Sequence, residues 1–152
     1  MAARTFGTFL TWLQEKKSAV FVVATANDLS SIPPEFLRQG RFDEIFFVGL
    51  PNASERETMF RIHLARRHRD PSAFDVARLA RDTESFSGAE IEQVVLSAMF
   101  QAFTAGREFV QKDLEDAARE SHPLALAQSE RIGALVAWGR KNARQASTVA
   151  GP

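Results

Sequence analysis

Residues 19–25 read Ala-Val-Phe-Val-Val-Ala-Thr, with no charged residue and no alternation of polar with apolar side chains. A half-exposed strand alternates. An unbroken run rich in β-branched residues is how a strand covered on both faces reads, as in a parallel sheet flanked by helices. That pattern is the strongest constraint in the chain, because such a strand needs helices on each side. A second strand is expected at 44–48, ending in a break at Gly49-Leu50-Pro51. Residues 4–16 are expected to form one of the covering helices, with Phe6, Phe9, Leu10 and Leu13 in a single stripe. Trp12 lies off that stripe and suits a second contact.

Polar residues at the ends of these runs are candidates for chemistry. Asn27 follows the first strand directly, at the strand end where α/β sheets bind ligands. Its amide can donate to a phosphate and accept from another group. Asn is equally a turn former, and position alone leaves both readings open. Arg38 and Arg41 flank Gly40 at the mouth of the second strand. Two guanidinium forks on a glycine turn suit an anion. Alternatively they are surface arginines paired with Glu35, Asp43 or Glu44.

Past Pro51 the pattern becomes helical. Asn52 or Ser54 caps a helix running to about residue 67, with Met59, Ile62 and His63 on one face. Its basic end, Arg66-Arg67-His68-Arg69, suits a solvated helix C-terminus. A short helix covers 74–82. Ser87 and Glu90 form a capping-box pattern opening a long helix over 88–105, with Ile91, Val94, Val95, Ala98, Met99, Ala102 and Phe103 on its stripe. Another helix spans 111–120, an apolar linker 124–127, and a final helix 129–146.

Composition narrows the functional classes. The 152 residues are 45% apolar, enough for a core, and carry 19 basic against 19 acidic residues. That balance disfavours a nucleic-acid or membrane surface. There is no cysteine, so disulfide and thiol chemistry is excluded. Three histidines, His63, His68 and His122, supply no metal-ligand cluster. No apolar run approaches the roughly 18 residues that span a bilayer. Residues 1–17 superficially resemble a targeting peptide, but Glu15 and the strand that follows favour ordinary structure.

In order, the chain gives a buried strand, Thr-Ala-Asn, Pro-Pro-Glu-Phe-Leu-Arg-Gln-Gly-Arg-Phe-Asp, a second strand, Leu-Pro, a helix with Ile-His, and Ser-Gly-Ala-Glu capping another helix. This closely resembles the second half of an AAA-type ATPase module, over about residues 5–147. The stretches Thr-Phe-Leu-Thr-Trp-Leu-Gln-Glu-Lys and Gly-Arg-Phe-Asp-Glu-Ile-Phe-Phe-Val are most like the Ycf46-type AAA proteins of cyanobacteria, plastids and other bacteria. The resemblance implies a partial α/β sheet layer of two parallel strands with helices over 1–51, an all-helical lid over 52–147, and a disordered tail at 148–152. It implies that Asn27 is the sensor-1 residue placing the attacking water, and that Arg38 and Arg41 are arginine fingers reaching a neighbouring subunit's nucleotide. A finger of that kind is worth ~10³–10⁵ in rate. It further implies that His63 lies near adenine and ribose, and that Gly88 and Ala89 form the sensor-2 turn, with no sensor-2 arginine at Ala89.

An ATPase of this class needs a phosphate cradle, G-x-x-x-x-G-K-[ST], and an acidic pair after an apolar strand. Neither occurs in these residues. The four lysines are Lys16, Lys17, Lys112 and Lys141, and none follows a glycine. Asp43-Glu44 lies before its strand, on the wrong side for a Mg²⁺ clamp. The resemblance therefore implies ATP and Mg²⁺ as cofactors of the complete module only, with hydrolysis coupled to remodelling of a macromolecule and not expected from this chain alone. The expected partners are other AAA subunits in a ring-type oligomer and a remodelling substrate, in the cytoplasm or the plastid stroma. Two readings follow: a truncated AAA subunit, or a non-catalytic module that docks on an intact AAA subunit.

Overall fold

The computed structural model describes residues 2–28, 32–37 and 42–147. The expected arginine pair, Arg38 and Arg41, and the tail at 148–152 lie outside the described residues.

Helix α1 spans Ala2–Glu15. It docks through aromatic rings. Phe9 stacks on Phe36 at 6.1 Å between centroids, and Phe36 lies 6.5 Å from Phe42. Phe36 closes a 3-10 turn, Pro34–Phe36, that proline preorganises at its first position. Trp12 packs locally: it stacks on Phe9 of the same helix at 5.7 Å, with the Lys16 ammonium 4.4 Å from its ring centroid.

The run 19–25 forms neither helix nor strand. Phe21 is 93% exposed and Val23 74%. The reason is physical. A strand has no internal hydrogen bonds, and among the described residues no strand lies beside this one. The outline of two parallel strands with helices nonetheless holds. The strands are β1, Phe46–Phe47, and β2, Arg144–Gln145, from near the other end of the chain. They pair in parallel, Phe46 with Arg144 and Phe47 with Gln145. The N–H of Arg144 donates to Ile45 O at 2.9 Å, and that of Ala146 to Phe47 O at 3.0 Å.

The core lies in a helical bundle. Helix α2 spans Ala53–Arg66, α3 Val76–Asp82, α4 Gly88–Thr104 and α5 Gln111–Glu120. Phe60, Leu64, Leu79, Ile91, Val94, Val95 and Leu114 are fully buried among them. In α2 the buried positions are Arg56, Phe60 and Leu64, at the four-residue spacing of one helix face. Ile62, expected on the packed face, is exposed, as is Phe103 at the end of α4. The expected caps form. Asn52 Oδ1 accepts from Glu55 N–H at 3.0 Å while the Glu55 carboxylate accepts from Asn52 N–H at 2.8 Å. Gly106, at φ +67, ends α4 in the left-handed conformation that glycine adopts freely.

Two features depart from expectation at the C-terminal end. Residues 124–127 are not a linker but a short helix, α6, Leu124–Ala127. The final helix, α7, stops at Asn142 instead of 146, since the backbone from Arg144 is recruited into the ladder with β1.

Candidate functional site

Four of the described candidate residues are Asn27, His63, Gly88 and Ala89. Three of them gather where α2 passes the start of α4. Gly88 opens α4, and a Cβ there would meet Met59 Sδ at 3.5 Å, an ordinary contact. One turn further along each helix, His63 Nδ1 lies 3.7 Å from the Glu92 carboxylate. Met59 thus faces Gly88 and His63 faces Glu92, so the two helices run in the same direction through this seam. Ala89 is exposed beside it. Asn27 is not part of the seam. It is exposed in the segment after α1, next to Asp28, which lies 3.8 Å from the Arg131 guanidinium of α7.

The seam is electrostatically asymmetric. Only 12% of the His63 side chain is exposed, and burial lowers its pKa below the ordinary value. Glu92 opposes that shift, while Arg67 and Arg66 add to it. His63 Nδ1 has no hydrogen-bond partner among the described residues. That nitrogen is enclosed between α2 and α4, so the seam holds the imidazole neutral and in place without presenting Nδ1 to a ligand. Arg67 donates from Nη2 to Glu92 at 2.8 Å and from Nη1 to His63 O at 3.2 Å. Glu92 is correspondingly lowered, first by the Arg67 hydrogen bond.

The N-terminus of α4 is held from two directions. Glu90 accepts from Ser87 N–H at 2.7 Å, completing the capping box. Its other oxygen accepts from Leu124 N–H at 2.7 Å. Burial raises the cost of the Glu90 charge, but the hydrogen bonds from Leu124 and Ser87 outweigh it and its pKa is lowered.

The entry to α2 is fixed by Arg56, which sequence reasoning passed over. Its side chain is buried, donating from Nε to Ala80 O at 2.9 Å and from Nη1 to Pro51 O at 2.6 Å. The guanidinium therefore ties the end of the segment after β1 to α3. Arg67 was also missed in its present role, having been read as part of a solvated cap. The spacing from His63 to Arg67 is one helical turn, and that signal placed the two on one face.

The AAA family model, ATPase family associated with various cellular activities, matches residues 1–50. The AAA+ lid domain model matches residues 73–116. An uncharacterized AAA domain-containing protein, Ycf46, of Pyropia yezoensis is 51% identical over 148 residues, covering 96% of this chain and 30% of that protein. An ATP-dependent zinc metalloprotease, FtsH 2, of Methylacidiphilum infernorum is 36% identical over 124 residues, covering 77% of this chain and 19% of that protein. The chain thus spans less than a third of the length of these curated relatives. The crystal structure of the FIGL-1 AAA domain superposes with a TM-score of 0.60 at 19% identity, covering 76% of this chain and 41% of that one. That likeness speaks to the fold alone.

Proposed function

The chain belongs to the AAA family of ATPases, and from that premise we propose that it supplies the second half of a nucleotide-hydrolysing module. In this reading residues 1–51 carry the polar residues that act on the terminal phosphate, and 52–147 form the lid over the base. The observation that carries it is the order of the two family matches, the ATPase model over 1–50 and then the lid model over 73–116.

The residues present fit one end of ATP. The His63 ring beside the exposed Ala89 at the start of α4 suits the adenine and ribose end. They do not fit the other end, since no Gly-rich Lys-Ser/Thr loop and no strand-terminal acidic pair occur among the 152 residues. The triphosphate and Mg²⁺ have to be held by residues outside this sequence. Asn27 then orients the attacking water, and Arg38 and Arg41 stabilise charge on a neighbouring subunit's nucleotide, within a ring-type assembly. Remodelling of a macromolecule is the work such a ring would drive, in the cytoplasm or plastid stroma. Among the described residues no helix is long and apolar enough to cross a membrane.

The test is reconstitution. The chain alone is expected to release no phosphate from ATP above the buffer rate. Joined to a half-module that carries a Gly-x-x-x-x-Gly-Lys-Ser/Thr loop and a strand-terminal acidic pair, it is expected to hydrolyse ATP. Arg38→Ala or Arg41→Ala should then lower the rate by at least ~10³ where a finger acts in trans, and Asn27→Ala should lower it as well. Undiminished hydrolysis in all three variants would sink the assignment. Were the unjoined chain to change the rate of an intact AAA subunit instead, it would act as a docking module.

A further inference from the structure

The strand layer and the helical bundle are connected twice. The direct connection runs from β1 through Gly49 and Leu50 to Pro51, where Arg56 takes hold. The return connection leaves α5, passes through α6 and α7, and ends in β2, paired with β1. We propose that α6, α7 and β2 form a strap that sets the orientation of the bundle against β1, anchored by Glu90 at one end and by Phe47 on Gly139 at the other. This does not depend on the ATPase reading.

The first anchor is the Glu90 carboxylate, which takes Leu124 N–H at 2.7 Å just as the chain enters α6. Because the same carboxylate caps α4, the strap is tied to the bundle at the Ser87-Gly88-Ala89 turn. The second anchor is steric. Gly139 is buried in α7, and a Cβ at that position would overlap the Phe47 ring. Only glycine lets the helix backbone approach the ring so closely. The third is the ladder, where Arg144 N–H and Ala146 N–H donate to Ile45 O and Phe47 O. These bonds also occupy one edge of β1, leaving that edge closed to other strands.

Two connections between the same two bodies close a loop. The bundle cannot rotate about Gly49-Leu50 without stretching the strap or releasing an anchor. The β1 end is held by two backbone hydrogen bonds and a single ring contact. An anchor of that size opens locally while the core, centred on Phe60, Leu79 and Ile91, stays folded. The strap is therefore a releasable lock on a hinge, and hinges of a few loop residues are where such rotations occur.

The chain has no cysteine, so a pair of labels can be placed uniquely. Glu44 and Arg81, both exposed, lie on the β1 side and the bundle side. With spin labels on Glu44→Cys and Arg81→Cys, the parent chain is expected to give one narrow distance distribution. Gly139→Leu should broaden it, because the added side chain expels Phe47. Arg144→Pro removes a ladder donor without touching α7 and should broaden it as well, guarding against a folding defect in the first variant. Helical circular dichroism should stay at the parent level in both. A distribution as narrow with the strap disrupted as without, or one already broad in the parent, overturns the proposal.

Discussion

Phe60 in α2 has no exposed surface, whereas Phe21, in a run at least as apolar, keeps 93% of its own. The difference lies in where each backbone finds its hydrogen bonds. A helix satisfies its N–H and C=O groups internally, so α2 needs only neighbours for its apolar face. Those neighbours, α3, α4 and α5, all lie between Val76 and Glu120, just beyond α2 in the chain. The run 19–25 has no such option. Its backbone needs a strand on at least one side before burial of its side chains can follow. Between these extremes sits β1, which found a partner in the C-terminal residues 144–145 and is correspondingly ordered for only two residues. Apolar pattern thus states what a segment would bury, and hydrogen-bond locality decides whether it does.

The sharpest way to break this contrast is to truncate one ring on each side of it. Phe60→Ala removes a fully buried side chain and is expected to cost about 3–5 kcal/mol. Phe21→Ala is expected to change stability by no more than about 0.5 kcal/mol, in line with exposed positions elsewhere. Urea unfolding followed at 222 nm reads both. Equal losses at the two positions would mean that 19–25 is packed in solution and that the two regions are not distinct.

A smaller effect tests how the bundle closes its far end. The Arg107 guanidinium forks onto both Asp113 oxygens at 2.7 Å, and Val110 N–H donates to the same carboxylate at 2.8 Å. The Arg107 hydrogen bond is the leading cause that lowers the Asp113 pKa from 3.8 to about 2. Asp113→Asn keeps the shape and loses the charge, and is expected to cost about 2 kcal/mol at neutral pH. The pH dependence has a definite sign. The unfolded chain protonates this carboxyl first, so the stabilisation is complete above pH 3.8 and is lost as the pH falls towards 2. The Asn variant should show a flatter acid limb. An acid limb parallel to the parent's would remove Asp113 from the account of bundle stability.

What the sequence revealed follows the same division. The Ser87-Glu90 cap, the Asn52 cap as one of two candidates with Ser54, and the helices they open were legible, because each depends on residues within one turn of one another. The arrangement of His63 with Gly88 was half legible: a resemblance placed both, yet Arg67 read as a solvated cation until Glu92, 25 residues on, was seen to hold it. Arg56 reaching Ala80, 24 residues away, left no local mark. Nor did Gly139, whose reason for being glycine is the ring of Phe47, far earlier in the chain. Asn27 was found where a strand end should be, but the strand that would aim it is not formed.

The finest test falls on His63, at the join between bundle packing and the candidate site. Its pKa is lowered by burial, with the nearby Arg67 and Arg66 adding and Glu92 at 3.7 Å opposing. A histidine whose folded pKa lies below the unfolded 6.5 is protonated more readily in the unfolded chain. Stability from this group is therefore complete above pH 6.5 and declines as the pH falls through the folded value. The decline should be shallower than that from Asp113, since Glu92 partly supports the imidazolium. His63→Gln, which cannot charge, should remove that shallow step and leave the acid limb near Asp113 untouched. Adenosine binding in the reconstituted module, with His63 beside the base, should weaken over the same pH window in the parent and become pH-independent in His63→Gln. A midpoint curve with no change between pH 7 and 5 in the parent would show that the imidazole is already solvated and that the seam between α2 and α4 is open in solution.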